Sequence, residues 1–379
     1  MRATNVQMGS FMPDETDAMT DAITALVPAL LHALEGLAFI SRHLHPPQMD
    51  TVLGHVGRLD VGVKDGLTIF QSVAWPDDLS AFKERLESSA TSTMRAYEEL
   101  HGAAGDIMNS YKALRHNARA LEALYPIASV LPPVSRFFLE EAQRDDKELM
   151  QALEAGPQEN QTTGIHHFGN EKKERGGFSF YVPENYDVTK KYPVIVALHG
   201  GSGHGRDFLW SWVKTARSRG ALLVVPTSAG STWSLMGPDE DSPNLERILA
   251  HVDERWPIDA SKMLLTGMSD GGTFTYVQGL MSGSPFTHLA PVSASFHPFL
   301  LEVVEPERLA GLPIYLVHGA KDWMFSIDIA RTAHQTLDSS GASIVYRELA
   351  DLSHTYPRDE NAKILDWFLD GKLPEDAAK

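Results

Sequence analysis

The sequence predicts two domains, an all-α helical bundle over residues 1–158 and a doubly wound α/β domain with a mostly parallel sheet over residues 159–379. Three observations predict it. The first 155 or so residues repeat apolar side chains at helical spacing and nearly lack strand-like alternation. Continuous apolar runs then follow, bounded by turn residues and separated by helical patterns, as in strands buried on both faces. Between the two textures lies GPQENQTTG, residues 156–164, which is polar, holds Gly and Pro, and reads as a linker.

Within the helical part, Ile23, Leu26, Val27, Leu30, Leu31 and Leu34 share one face. The surrounding stretch, Ala22 to Ile40, is the most apolar in the chain. Pro28, His32 and Glu35 interrupt it, so a buried helix is expected rather than a membrane span. Leu79, Phe82, Leu86, Met94, Tyr97 and Leu100 form a second stripe, opened by Pro76-Asp77-Asp78. Ile107, Tyr111, Leu114, Leu121 and Leu124 form a third, and Pro132-Pro133 is expected to open a last helix ending near Gly156. An antiparallel bundle of about five helices would bury such faces. The first dozen residues are expected to be mobile.

In the α/β part, Phe178, Phe180 and Val182 alternate in GFSFYVP, which predicts a strand with one covered face. PVIVAL (193–198), ALLVV (221–225), KMLLT (262–266) and PIYLV (313–317) predict further, fully buried strands. Reactive groups in such a layout lie at the carboxyl ends of the strands.

Composition narrows the function. The net charge of −17 is spread over both halves, a surface that repels phosphate backbones, so no nucleic-acid partner is expected. The chain has no cysteine, which excludes disulfides, thiolate metal sites and a cysteine nucleophile, and fits a reducing compartment. The opening segment carries Asp14, Glu15 and Asp17 where a secretory signal would be basic. A cytoplasmic protein is therefore expected.

Four motifs carry chemistry. GMSDGG, Gly267 to Gly272, follows the run KMLLT and precedes the helical stretch TFTYVQGLM. A G-x-S-x-G at a strand–turn–helix forces the serine, Ser269, into a sharp elbow that lifts its hydroxyl clear of the sheet. HGGSGHG, His199 to Gly205, follows PVIVAL. Its backbone N–H groups can converge on a developing oxyanion, with Gly201 and Asp270 as the expected donors. A glycine-rich loop could instead cradle phosphate, but the Walker lysine is missing and G-x-G-x-x-G does not fit the spacing. His199 is expected to fix this loop rather than to react.

HGAKD, His318 to Asp322, follows PIYLV and places a carboxylate at a strand end, where it can orient a histidine. The alternative is that Asp322 caps the next helix; a rival, Asp328, lies within a helical pattern. DLSHTYP offers His354 on a loop after the strand-like SIVYREL. An imidazole there can take and return a proton near neutral pH. Only His334 and His354 follow Asp322, and His334 sits on the helical pattern ARTAHQTL. The order Ser, Asp, His is that of α/β-hydrolases.

From about Gly176 onward the chain resembles the dienelactone hydrolase and phospholipase/carboxylesterase branch of the α/β-hydrolases, which includes feruloyl esterases and polyhydroxybutyrate depolymerase-like esterases. YVPENYDVTKKYPVIVALHGGSGHG, RWPIDASKMLLTGMSDGG and HGAKDWMFSID carry the resemblance. It implies an α/β-hydrolase fold and a metal-independent serine esterase, without cofactor, using Ser269, Asp322 and His354. Asp270 is less usual beside the nucleophile. The resemblance leaves out the helical first domain, which is expected to serve as a lid or as an interface between copies of the chain.

Aromatic residues gather near the expected loops: Trp210, Trp212, Trp233, Phe296, Phe299, Trp323 and Phe325. Of these, Trp233 and Trp323, with His297, are expected to line an apolar or aromatic acyl pocket for a small acyl or aryl ester. Three other readings stay open: a peptidase of the prolyl-oligopeptidase kind, a thioesterase, and a non-catalytic binding module on the same scaffold.

Overall fold

The structure is a computed structural model and describes residues 13–103, 105–156 and 162–375. The expectation for the first dozen residues lies outside these, as do residues 157–161 of the expected linker.

The chain divides into two compact units. One gathers the residues up to Phe39 with Leu53–Ile127, and the other gathers Ile40–Val52 with the chain from Ala128 onward. The expected boundary at residues 156–164 therefore does not match the packing, because two segments from the helical region belong with the sheet.

The helical region contains α1 (Pro13–His43), α2 (Met49–Val56), α3 (Asp60–Ser72), α4 (Ser80–Gly102) and α5 (Ile107–Leu124). Leu26, Val27, Leu30 and Leu34 are buried on α1, as their spacing predicts, while Ile23 and Leu31 are half-buried. By length and composition Asp17–His43 is also long and apolar enough to cross a membrane. Tyr97 on α4 donates to the Ala33 carbonyl of α1 at 2.9 Å, and Ser89 donates to the Ala120 carbonyl of α5 at 2.9 Å. Asp106 caps α5, accepting from the N–H groups of Met108 and Asn109.

The single helix expected after Pro132-Pro133 is two short ones, α6 (Pro132–Phe137) and α7 (Lys147–Glu154), the second capped by Asp146. The break has a cause. Arg217, almost fully buried, donates to the carbonyl and hydroxyl oxygens of Ser135 at 2.8 and 3.0 Å while pairing with Glu184. Three residues past α6, Glu140 pairs with Arg219, and its N–H donates to Ser218. These bonds hold the segment as a bracket against the α/β unit.

The sheet is built from β1 (Gly164–Phe168), β2 (Phe178–Val182), β3 (Tyr192–Leu198), β4 (Leu222–Pro226), β5 (Ile258–Met268), β6 (His288–Val292), β7 (Pro313–Gly319) and β8 (Ser343–Leu349). Its order is β1-β2-β4-β3-β5-β6-β7-β8. β1–β2 and β2–β4 pair antiparallel, and the remaining pairs are parallel. Helices connect the strands: α8 (Gly205–Phe208) and α9 (Val213–Arg219) after β3, α10 (Asp241–Asp253) after β4, α11 (Asp270–Leu280) after β5, α12 (Pro306–Leu309) after β6, α13 (Ile327–Ser339) after β7, and α14 (Asn361–Asp370) last. This is the α/β-hydrolase arrangement. β2 is buried at every residue rather than on one face, since it lies inside the sheet between β1 and β4.

The register aligns the carboxyl ends. Leu198 pairs with Gly267, Met268 with Val292, Val292 with Val317, and Gly319 with Leu349. The loops that leave β3, β5, β6, β7 and β8 therefore emerge side by side at one edge.

One helix crossing offers a test of the packing. α3 passes α1 so closely that a Cβ added to Gly66 would lie 2.6 Å from the Ala25 carbonyl oxygen and 2.8 Å from the Leu26 Cα. Gly→Ala in a helix interior ordinarily stabilises by about 0.5–1 kcal/mol. Here the sign should reverse. Gly66→Ala is expected to cost about 1–3 kcal/mol through overpacking, read as a lower melting temperature by circular dichroism.

Candidate active site

Ser269 directly follows β5 and opens α11, with φ 56° and ψ −120°. A non-glycine residue holds this conformation only when its surroundings impose it. Those surroundings are backbone. A Cβ on Gly271 would lie 2.5 Å from the carbonyl oxygens of both Leu198 and His199, and one on Gly267 would lie 2.4 Å from that of Gly271. Gly272 is pressed likewise against Val292 and Ala294. The G-x-S-x-G-G pattern thus reflects three close backbone approaches.

His354 lies on the loop after β8 and Asp322 three residues past the end of β7. The structure brings both to Ser269. His354 Nε2 is 3.0 Å from Ser269 Oγ, and His354 Nδ1 is 2.8 Å from Asp322 Oδ2. A carboxylate only accepts, so Nδ1 carries the proton and Nε2 is left to accept from the serine hydroxyl. Asp322 Oδ1 accepts from the N–H groups of Met324 and Phe325 at 2.9 and 2.8 Å. Burial pushes the Asp322 carboxyl up; the bond and charge of His354 and these two N–H groups outweigh it, and the net displacement is below the usual carboxylate value. Asp328 and His334, the rivals considered from sequence, both lie on α13.

Around Asp322 the packing is tight. The buried His318 donates from Nε2 to the Phe325 carbonyl at 3.0 Å and stands 3.5 Å from Asp322 Oδ2. Phe325 sets its ring edge-on to His354, with centroids 5.4 Å apart.

The loop after β3 lies beside Ser269. A Cβ on Gly200 would be 3.5 Å from that of Ser269, and one on Gly201 would be 2.6 Å from Asp270 Oδ2. Gly200 was not singled out by the sequence, although it is the first glycine of the same HGG run. Ser269's own N–H is engaged by the Val292 carbonyl at 2.9 Å. The Asp270 N–H, in the first turn of α11, has no carbonyl behind it in the helix. The Asp270 carboxylate turns to Thr232, whose hydroxyl donates to it at 2.5 Å.

Several groups brace this loop. His199 is buried, donates from Nδ1 to the Gly200 carbonyl at 2.7 Å and accepts at Nε2 from the Ser228 N–H at 3.1 Å. Arg175 donates to the Gly203 carbonyl at 2.7 Å, and Ser202 N–H to Ser231.

The expected pocket residues divide. Trp233 does not face an open pocket: it is 3% exposed, stacks on Phe274 at 5.3 Å, and donates from Nε1 to the His199 carbonyl at 2.7 Å. Its indole needs a buried acceptor, and the loop supplies one. His297 is exposed and caps the 3₁₀ turn Pro298–Val303, accepting from the Phe299 N–H. Trp323 is 43% exposed, with its ring 6.4 Å from that of His354. Trp210 and Trp212 are core residues. Met236, Phe299, Val303, Trp323 and Met324 are exposed on loops leaving the carboxyl ends of β4, β6 and β7. Among the described residues no group of three or more His, Asp or Glu is placed to hold a metal ion.

Comparison with known proteins gives esterases and a peptidase. The chain is similar to a probable feruloyl esterase C of Aspergillus terreus (strain NIH 2624 / FGSC A1156), 25% identical over 185 residues, which are 47% of this chain and 64% of that protein. It is similar to the bifunctional acetylxylan esterase/xylanase XynS20E of Neocallimastix patriciarum, 27% identical over 158 residues, 40% of this chain and 22% of that protein. It is also similar to a probable dipeptidyl-peptidase 5 of the same Aspergillus strain, 30% identical over 229 residues, 48% of this chain and 31% of that protein. The chain spans less than two thirds of the length of each. No protein-family model matches it.

The buried His199 makes the bracing of the loop testable. Burial pushes its imidazole down to about 3, whereas an unfolded chain protonates histidine near 6.5. Between those values the unfolded state binds a proton that the folded state refuses, so this contribution to stability is complete above about pH 6.5 and declines as pH falls toward 3. Melting temperature should therefore drop on acidification through this window. His199→Gln, which keeps an acceptor for Ser228, is expected to flatten the slope by about one proton in a pH series of thermal melts.

Proposed function

We propose that this chain, an α/β-hydrolase, is a serine carboxylesterase that acts on small acyl or aryl esters through an acyl-enzyme on Ser269. The observation that supports it most is the run of two hydrogen bonds from Asp322 through His354 to Ser269, at 2.8 and 3.0 Å, above the carboxyl edge of a parallel sheet.

The mechanism follows from the tautomer. Ser269 Oγ attacks the ester carbonyl as His354 Nε2 takes its proton. The imidazolium that forms is stabilised by the ionised Asp322. The carbonyl oxygen becomes an oxyanion held by the N–H groups of Gly201 and Asp270. The tetrahedral intermediate collapses, the C–O bond to the alcohol breaks, and His354 returns the proton to the departing oxygen. Water then repeats the sequence on the acyl-enzyme and releases the acid. The exposed apolar side chains Phe299, Trp323 and Met324 favour an aromatic or aliphatic substituent at this edge. The named esterase relatives support the ester bond as the target.

A second reading has one observation in its favour, the similarity to a probable dipeptidyl-peptidase. A peptide amide would have to be cleaved by the same groups.

An active-site-directed fluorophosphonate separates a catalytic serine from a binding module. A covalent adduct on Ser269, absent from Ser269→Ala, is expected. On a p-nitrophenyl ester series the variant should lose at least about 10³-fold in kcat. A matched peptide amide cleaved faster than every ester would sink the esterase reading in favour of the peptidase.

A further inference from the structure

We propose that the segment Arg42–Gln48 is a clamp that positions the catalytic histidine, with Arg42 as its principal residue. The inference rests on the triad reading above and goes beyond it, because it gives part of the helical region a role in catalysis that neither a lid nor an interface between copies would require.

The starting point is where His354 sits. β8 ends at Leu349 and the next regular turn begins at Arg358. His354 thus lies five residues beyond the sheet, in a stretch with no strand or helix of its own. Residues 352–357 are nonetheless buried. Something other than the sheet must fix them.

Ile40–Val52 belongs to the same compact unit as this loop. Arg42 Nε donates to Asp359 Oδ1 at 2.8 Å, and Arg42 Nη2 donates to Asp351 Oδ1 at 3.2 Å. One guanidinium therefore holds both ends of the stretch that contains His354. The Arg42 carbonyl accepts from the hydroxyl of Thr355 at 3.0 Å. His45 Nδ1 lies 3.0 Å from Ser353 Oγ. The two residues that flank His354 in sequence are thus both bonded to the segment.

The same segment reaches toward the carboxylate. Ser353 Oγ donates to the Lys321 carbonyl at 3.4 Å, and Lys321 Nζ donates to Gln48 Oε1 at 3.4 Å. Lys321 precedes Asp322. The loops that carry the base and its orienting partner are tied to one strip of chain.

Asp351 and Asp359 are more than half exposed, and the Arg42 side chain that joins them is 14% exposed. Solvent around the two carboxylates weakens what each pair adds to global stability. A side chain misplaced by 1 Å can still cost about 10²-fold in rate. Position, then, is what the clamp provides. Arginine suits the task because its planar fork serves two carboxylates at once, whereas a lysine is a single point charge.

His354 acts as base in both acylation and deacylation, so displacing it should slow both steps together and leave KM unaltered. Arg42→Ala is expected to lower kcat on a p-nitrophenyl ester at least about tenfold, with KM within about twofold and little change in melting temperature. Arg42→Lys should recover part of the loss. Arg95→Ala, which breaks the exposed pair with Glu99 on α4, controls for loss of an ion pair and should leave kcat unchanged. Should Arg42→Ala fail to fold, Thr355→Val and Asp359→Asn carry the test, each expected to lower kcat several-fold at constant KM. Wild-type kcat in Arg42→Ala, or in both substitute variants, would overturn the clamp. Ser269→Ala is run beside them: if it stays active, the triad reading fails instead.

Discussion

The backbone of Ser269 is the constraint around which the α/β unit is organised. Its φ of 56° and ψ of −120° are costly for a residue with a side chain. The cost is met by packing that leaves no alternative. The start of α11 is wedged between the end of β3, where Gly271 touches the carbonyls of Leu198 and His199, and the end of β6, whose Val292 accepts the Ser269 N–H. The contact that enforces the elbow also brings the loop after β3 against it. Gly200 faces Ser269 because Gly271 admits the backbone of His199. The strained turn and the placing of the Gly200–Gly201 backbone beside Ser269 are two sides of one close approach. This explains why His199 is buried and neutral: its ring bonds Gly200 and Ser228 while its carbonyl takes the indole N–H of Trp233.

The sheet determines the positions of Asp322 and His354 less and less. Ser269 comes one residue after the last residue of β5, Asp322 three after that of β7, and His354 five after that of β8. A residue next to a strand inherits its position from the parallel register. Each further residue adds two soft dihedrals. Asp322 recovers precision locally, because the N–H groups of Met324 and Phe325 fold back onto its carboxylate. Around His354 the backbone closes a tighter turn, with the Thr355 N–H on the Ser353 carbonyl at 2.9 Å and the Lys321 N–H on the Leu352 carbonyl at 3.0 Å, and side-chain bonds from Arg42 and His45 add to these.

How legible each part was in the sequence follows the same gradient. β3, β4 and β7 could be read from apolar runs, because strands covered on both faces carry apolar residues continuously. The elbow could be read because close backbone approach demands glycine at fixed offsets. β1 could not: GIHHF has two histidines, lies half-buried at the sheet edge, and begins at Gly164, the last residue of the polar stretch that reads as a linker. The break between α6 and α7 was equally hidden, since it follows from the long-range bonds of Arg217 and Arg219. Trp233 shows the same limit. Proximity to the site in sequence says nothing of whether an indole points into a pocket or, as here, into the core to hold a loop. The contacts of Arg42 with Asp351 and Asp359 join residues more than 300 positions apart, a relation that no periodicity or local motif encodes.

The division of the chain by packing changes what the helical region means. Cutting at the polar stretch near residue 160 would look like removal of an independent domain. It would instead strip the α/β unit of two of its own parts. Arg217, with a side chain only 2% exposed, would keep Glu184 but lose both oxygens of Ser135, leaving buried donors unmet at about 1–3 kcal/mol. Trp210 would lose the neighbouring ring of Phe138, whose centroid is 6.0 Å from its own. The loop carrying His354 would lose Arg42 and His45. The first two losses bear on stability and the third on geometry, so a shortened chain could fold poorly, react slowly, or both, for unrelated reasons. Point substitutions at Arg42 separate what truncation confounds, because they leave the Ser135 and Phe138 contacts in place and touch only the bonds to Asp351 and Asp359 that bracket His354.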